Sequence, residues 1–175
     1  AGINNIVISG KTSTSNTQDN VILDIYQKAG PVGGIASIIQ QCKPSALLIL
    51  PVDLPLMTFS ALHKLKQIGE ISQQACFYEN SSLPLYLPIT AHLENFIENA
   101  FMTASSQPVE SKSKNKELGK KGPSMRALLN QIPHKAIKIE NSKTLFNSNT
   151  PEQWKVAQAN FSTIKSNTTE TSRVR

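Results

Sequence analysis

A single carboxylate, Asp53, stands between two prolines in Leu50-Pro51-Val52-Asp53-Leu54-Pro55, directly behind the apolar run Ala46 to Leu50. The run reads as a strand covered on both faces, so Asp53 falls at its carboxyl end, where open α/β sheets bind ligands. A carboxylate there can hold a hard divalent cation against a phosphate. The same residue type caps helices and closes turns, and taken alone that use is the commoner one. Two further groups have chemical potential. Gly30-Pro31-Val32-Gly33-Gly34 reads as a glycine turn that opens a helix from about Ile35 to Gln41. Backbone N–H groups at such a turn can face an anion, although a plain tight turn explains the pattern equally well. Asn147 and Asn149 precede Thr150-Pro151-Glu152-Gln153, a good helix start with Thr150 as cap and Pro151 at the first helical position. The asparagines are either turn residues or donors and acceptors for a ligand.

Other candidates carry less. Gly10-Lys11-Thr12-Ser13 looks like the end of a phosphate-binding P-loop, but the position five before Gly10 is Asn5 and no helix pattern follows. Lys112, Lys114, Lys116, Lys120 and Lys121 form a basic stretch with no aromatic between them, which reads as a solvated loop and not as a nucleic-acid surface. His63, His92 and His134 have no metal-ligand spacing. Cys42 and Cys76, the two cysteines, form neither a disulfide framework nor a zinc pattern and read as reduced thiols of a cytoplasmic protein.

The elements that must position these groups follow from periodicity and punctuation. The chain has 175 residues, a formal net charge of +6 and 39% hydrophobic residues, enough for one domain with a real core. The positive balance suits anionic ligands such as nucleotides or pterin phosphates, and it suits nucleic acid equally; charge alone does not separate them. No apolar run approaches the ~18 residues of a membrane span, and no signal-peptide pattern opens the chain. Asn4 to Ser9 and Val21 to Asp24 read as extended. Thr58 caps a helix through Leu62, Leu65 and Ile68. Ala75–Tyr78 and Leu85–Leu87 read as strands, the second bracketed by Pro84 and Pro88 and therefore placed at an edge or in a short pairing. Glu94 to Met102 and Ser124 to Gln131 read as helices, Ala136 to Glu140 as a strand, and a last helix begins at Pro151. Alternating strands and helices predict an α/β domain over residues 1–161 with a mostly parallel sheet. Residues 103–123 read as a mobile polar loop and 162–175 as a polar, frayed tail.

In order, these pieces resemble the molybdenum cofactor guanylyltransferase family of Rossmann-like, three-layer nucleotidyltransferases. The matching elements are Val21-Ile22-Leu23-Asp24, Gly30-Pro31-Val32-Gly33-Gly34, Leu50 to Pro55, Leu83-Pro84-Leu85-Tyr86, Ser124 to Leu129 and Phe146 to Glu152. The resemblance implies transfer of GMP from GTP to molybdenum-bearing molybdopterin, with pyrophosphate leaving. It implies that Asp53 is catalytic and holds Mg2+, and that Asp24, Gly30, Pro31 and Gly34 lie, with Asp53, beside the nucleotide. Asn147 and Asn149 fall on the pterin side; Arg126 receives no chemical role. Molybdoenzymes or their maturation factors are the implied partners, with neither nucleic acid nor membrane. Family members open with a strand and a glycine-rich loop of the type Leu-Ala-Gly-Gly, followed by an arginine and a lysine, which wraps the triphosphate. Asn4 to Ser9 aligns with the family's second strand, so this chain is expected to lack a first βα unit of roughly 30 residues. Two other readings stay open: a molybdopterin cytidylyltransferase, and a non-catalytic nucleotide- or cofactor-binding relative acting as an accessory partner.

Overall fold

The computed structural model describes residues 3, 5–10, 20–101 and 122–171, with side chains as far as residue 161. The expected loop at 103–123, its lysines and the last residues of the tail fall almost wholly outside that range. Strand β1 (Ile8–Gly10) pairs in parallel with β2 (Val21–Leu23), and helix α1 (Gly30–Cys42) follows. Then come β3 (Ala46–Ile49), α2 (Phe59–Ser72), β4 (Ala75–Tyr78), β5 (Leu85–Pro88), α3 (Ala91–Phe101), α4 (Met125–Leu129), β6 (His134–Ile137), a 3-10 turn (Ser142–Leu145) and α5 (Pro151–Thr171). The backbone of α5 runs ten residues past 161.

The α/β architecture is as expected, but strand direction is mixed where a mostly parallel sheet was expected. The order in the larger sheet is β3-β5-β4-β6; β4 and β6 run parallel, whereas β5 is antiparallel to both β3 and β4. The reason is the connection after β4. Residues 79–84 turn the chain straight back, far short of the dozen or more residues that a parallel crossover needs. The same pairing corrects the reading of β5 as an edge. It sits between β3 and β4 and is buried throughout, and its bracketing prolines shorten the pairing instead of moving the strand outward. Strand β3 is in turn a sheet edge among the described residues. That is why its four residues are half-buried where cover on both faces was expected, and why Leu50 is exposed.

Strand alternation divides the core into two. Leu47, Ile49, Ala75, Leu85 and Leu87 face one side, where α1 contributes Val32, Ile35 and Ala36, α3 contributes Leu93, Ile97 and Phe101, and α4 contributes Met125, Leu128 and Leu129. Leu48, Cys76, Tyr78 and Tyr86 face the other side with Leu65 of α2 and Ile137 of β6. Helices thus cover both faces, the three-layer arrangement that buries a sheet with period-two apolar residues on each side. Each fully buried leucine contributes about 1.5–3 kcal/mol.

Burial on the α2 side has a consequence for pH. It pushes the Cys76 thiol above its ordinary value of 9.0, and it pushes the Tyr78 and Tyr86 phenols above 10.0, with carboxylates adding to both tyrosine shifts. The folded chain therefore holds these protons more tightly than the unfolded chain. The stability they contribute is complete below pH 9 and falls as pH climbs through the raised values. Denaturant midpoints measured from pH 7 to 11 should be level at first and then decline above about pH 9; a midpoint that rises in that range would contradict the assignment.

Candidate functional site

Asp53 lies in the turn that leaves β3. Sequence-distant residues close on it: Asn147 Nδ2 donates to Asp53 Oδ2 at 2.8 Å, across 94 residues of chain, and the Ser148 amide donates to the Asp53 carbonyl at 2.9 Å. The segment that carries Asn147 is fixed at both ends. Before it, the 3-10 turn is capped by the Asn141 side chain, which accepts from the Lys143 amide. After it, Gln153 Oε1 accepts from the amides of Asn149 and Thr150, while Thr150 Oγ1 accepts from the Gln153 amide, the reciprocal box read from the sequence. Asn149 itself is exposed at the entry to α5.

Beside this junction is a cleft of about 480 Å3. Leu54, Leu83, Ile139 and Leu145 line it with apolar surface; Asp53, Glu79, Asn80, Ser81, Ser82, Ser142 and Asn147 give it polar groups. A cleft with apolar walls and a few convergent polar groups is the usual form of a small-molecule site. Of the wall formed by residues 79–83, the sequence reading marks only Leu83, within Leu83-Pro84-Leu85-Tyr86. The wall is assembled by the β4–β5 connection, and its serines and asparagine look like ordinary turn residues until the sheet folds them against Asp53.

The second group of expected residues gathers around β1, β2 and α1. Helix α1 begins at Gly30, not at Ile35, so the expected glycine turn is the first turn and a half of the helix. Gly30 has φ +69°, a conformation that glycine adopts without strain, and Gly30 and Pro31 are exposed at the helix start. Gly33 and Gly34 are buried. A Cβ at Gly33 would stand 2.5 Å from Ala29 Cβ, and one at Gly34 would stand 2.5 Å from Ser9 Oγ and 3.5 Å from Asp24 Oδ1. Their glycines serve close packing of helix on strand. Asp24 accepts a hydrogen bond from Ser9 Oγ at 2.5 Å, and Ser37 clasps the exit of β2 by accepting from the Ile25 amide and donating to the Gly33 carbonyl. The structure therefore joins Asp24 to Gly34 and Asp53 to Asn147, and it adds Ser9, Ser37 and Ser148, which no sequence signal marked.

Among the described residues, no three His, Cys, Asp or Glu side chains converge as a closed metal site. An ion held at Asp53 would be of the open kind, bound by one or two carboxylates and completed by substrate phosphate and water, as magnesium commonly is. The hard oxygens of Asp53 suit that use, and its Oδ1 is buried without a hydrogen-bond partner in the protein. The Asn147 bond can be tested by itself. Asn147→Ala should speed amide hydrogen exchange at Ser148 about 5- to 10-fold, the effect of losing a bond worth about 1 kcal/mol, because the side-chain tie protects the neighbouring backbone tie. Unchanged exchange would mean that the backbone bond holds the segment without it.

Strands and helices in alternation, a carboxylate at a strand's carboxyl end and a polar-rimmed cleft beside it define an α/β domain with a candidate ligand site at the strand ends. The chain belongs to the MobA-like NTP transferase domain family, whose model matches residues 1–105. It is similar to a molybdenum cofactor guanylyltransferase of Xanthomonas euvesicatoria pv. vesicatoria (strain 85-10), at 29% identity over 157 residues, which cover 88% of this chain and 72% of that protein. Its fold matches the crystal structure of molybdopterin-guanine dinucleotide biosynthesis protein A from Archaeoglobus fulgidus with a TM-score of 0.66 at 16% identity, over 90% of this chain and 78% of that one. No helix among the described residues is long and apolar enough to cross a membrane.

Proposed function

We propose that this nucleotidyltransferase-family chain transfers GMP from GTP to molybdopterin carrying molybdenum. A terminal phosphate oxygen of the pterin attacks the α-phosphorus of GTP, a new P–O bond forms there, and the bond to the β-phosphate breaks to release pyrophosphate. The observation that carries the reading is the Asp53–Asn147 hydrogen bond, which unites the two motifs most specific to the resemblance at one cleft. The relative named as a molybdenum cofactor guanylyltransferase supports it.

In this reading Asp53 holds magnesium. When bound, the ion neutralises charge on the reacting phosphates and orients them. Asn147 fixes the direction of the Asp53 carboxylate, and Asn147 and Asn149 border the pterin. Asp24, with Gly30 and Pro31 at the start of α1, borders the nucleotide, and Gly34 shapes that side by letting α1 approach β1. The apolar walls of the cleft, Leu54, Leu83, Ile139 and Leu145, suit a flat heterocycle, and its hydroxyls and amides suit that ring's edge. A cytoplasmic setting and delivery of the product to molybdoenzymes or their maturation factors complete the proposal. The test is pyrophosphate release by the native protein, purified from its own cells, with magnesium, molybdenum-bearing molybdopterin and either GTP or CTP. Release with GTP is the expected result. Preference for CTP would assign the cytidylyl reaction, and no release with either would replace catalysis by an accessory binding role.

A further inference from the structure

Among the described residues, two buried side-chain oxygens have no hydrogen-bond partner in the protein: Asp53 Oδ1 and Ser148 Oγ. They lie on two segments far apart in sequence that are already clipped together. Asn147 Nδ2 takes Asp53 Oδ2 at 2.8 Å, and the Ser148 amide takes the Asp53 carbonyl at 2.9 Å. The unmet oxygens thus belong to two residues joined through their backbones, and their chemistry is complementary. An ionised carboxylate only accepts hydrogen bonds, whereas a serine hydroxyl has one proton to donate and can rotate to suit. Buried polar atoms are nearly always satisfied, and a buried carboxylate oxygen without a donor is among the most costly exceptions.

We propose that Ser148 is a positioning residue for Asp53: its hydroxyl donates to Oδ1 while the Asn147 amide donates to Oδ2. The 147–148 segment then grips both carboxylate oxygens and the carbonyl of the same residue. Rotation of the carboxylate about its own axis is removed, and the remaining lone pairs of the two oxygens are aimed from a fixed frame. An ionised carboxylate has about four acceptor sites, so two donors leave capacity for a cation. Ser148 does not touch the reacting atoms and acts only through Asp53. The sequence position between Asn147 and Asn149 gave no reason to single it out. Its alternative use, holding a buried water between the two oxygens, would satisfy the same atoms without the direct contact.

Two measurements on the full chain decide this, and the second rests on the metal role given to Asp53 above. The first is a crystal structure at atomic resolution. A distance of about 2.5–3.0 Å between Ser148 Oγ and Asp53 Oδ1, normal for O–H···O, is the expected result. A water or ion lying between them, or a Ser148 hydroxyl bonded elsewhere, would overturn the proposal. The second is manganese(II) binding followed by electron paramagnetic resonance. Ser148→Ala should weaken binding ~10- to 100-fold, the usual cost of losing a residue that orients a metal ligand, and Ser148→Thr, which keeps the hydroxyl, should restore it. Equal affinity in wild type and Ser148→Ala also overturns the proposal. If the wild type binds no manganese, the metal role of Asp53 fails, and the crystallographic distance still decides whether Ser148 positions it.

Discussion

Asp53→Ala is expected to lower magnesium-dependent nucleotidyl transfer by at least ~10²- to 10³-fold, the scale of losing one preorganised electrostatic group, with no loss of fold. The two effects separate because different atoms carry them. In the proposed reaction the side chain supplies the charge toward the phosphates. The backbone carbonyl, which the substitution keeps, supplies the bond from the Ser148 amide that holds the two segments together. Stability should change little, because truncation removes the Asn147 bond, worth about 1 kcal/mol at an exposed site, and leaves the backbone tie in place. Asp53→Asn keeps the shape and an oxygen for Asn147 but not the charge, so it should lose nearly as much turnover. Initial rates of pyrophosphate release, beside a thermal melt of each variant, check both halves. Unchanged turnover in Asp53→Ala would end the metal role for this residue.

Gly69→Ala should be the most damaging methyl group that can be added to the α2 face. In an exposed helix the exchange gains up to about 1 kcal/mol. Here a Cβ would meet the Tyr86 ring far inside contact distance, with Cγ at 2.6 Å, Cε1 at 2.7 Å and Cδ1 closer still. Tyr86 lies on β5 between two other strands and is 6% exposed, so the ring has nowhere to move. Overpacking of this kind costs about 1–3 kcal/mol and occasionally more, which outweighs the helix gain. At about 2–4 °C per kcal/mol for a chain of this size, the melting temperature should fall by several degrees. Tyr86→Leu frees the space, so the double variant Gly69→Ala/Tyr86→Leu should be more stable than the sum of the two single changes. Simple additivity would show that helix and strand do not share this contact.

Much of the fold was legible because its signals are local. Thr58 accepts from the Ala61 amide, and Thr150 and Gln153 exchange bonds, each within three residues of the cap. The apolar spacing of α2 and α3 and the position of Asp53 behind β3 needed nothing beyond their own neighbourhoods. The glycines of α1 were misread for the opposite reason. Gly33 and Gly34 suggest a turn to anyone looking along the chain, yet Gly33 is small because the segment Tyr26–Ala29 folds back on the helix it leads into, and Gly34 because Ser9 of β1 presses on it from 25 residues away.

The sequence by itself therefore determined most of the helices, the caps at Thr58 and Thr150, the α/β class, and the placement of a carboxylate at a strand's end. Tertiary structure decided strand direction, the central place of β5, the cleft wall at residues 79–83, and the meeting of Asp53 with Asn147 and Ser148. A cap or an amphipathic stripe is settled by energies between residues a few positions apart. The pairing of Asp53 with a residue 94 positions away has no local energy to announce it, and exists only once the folded sheet has brought the two turns together.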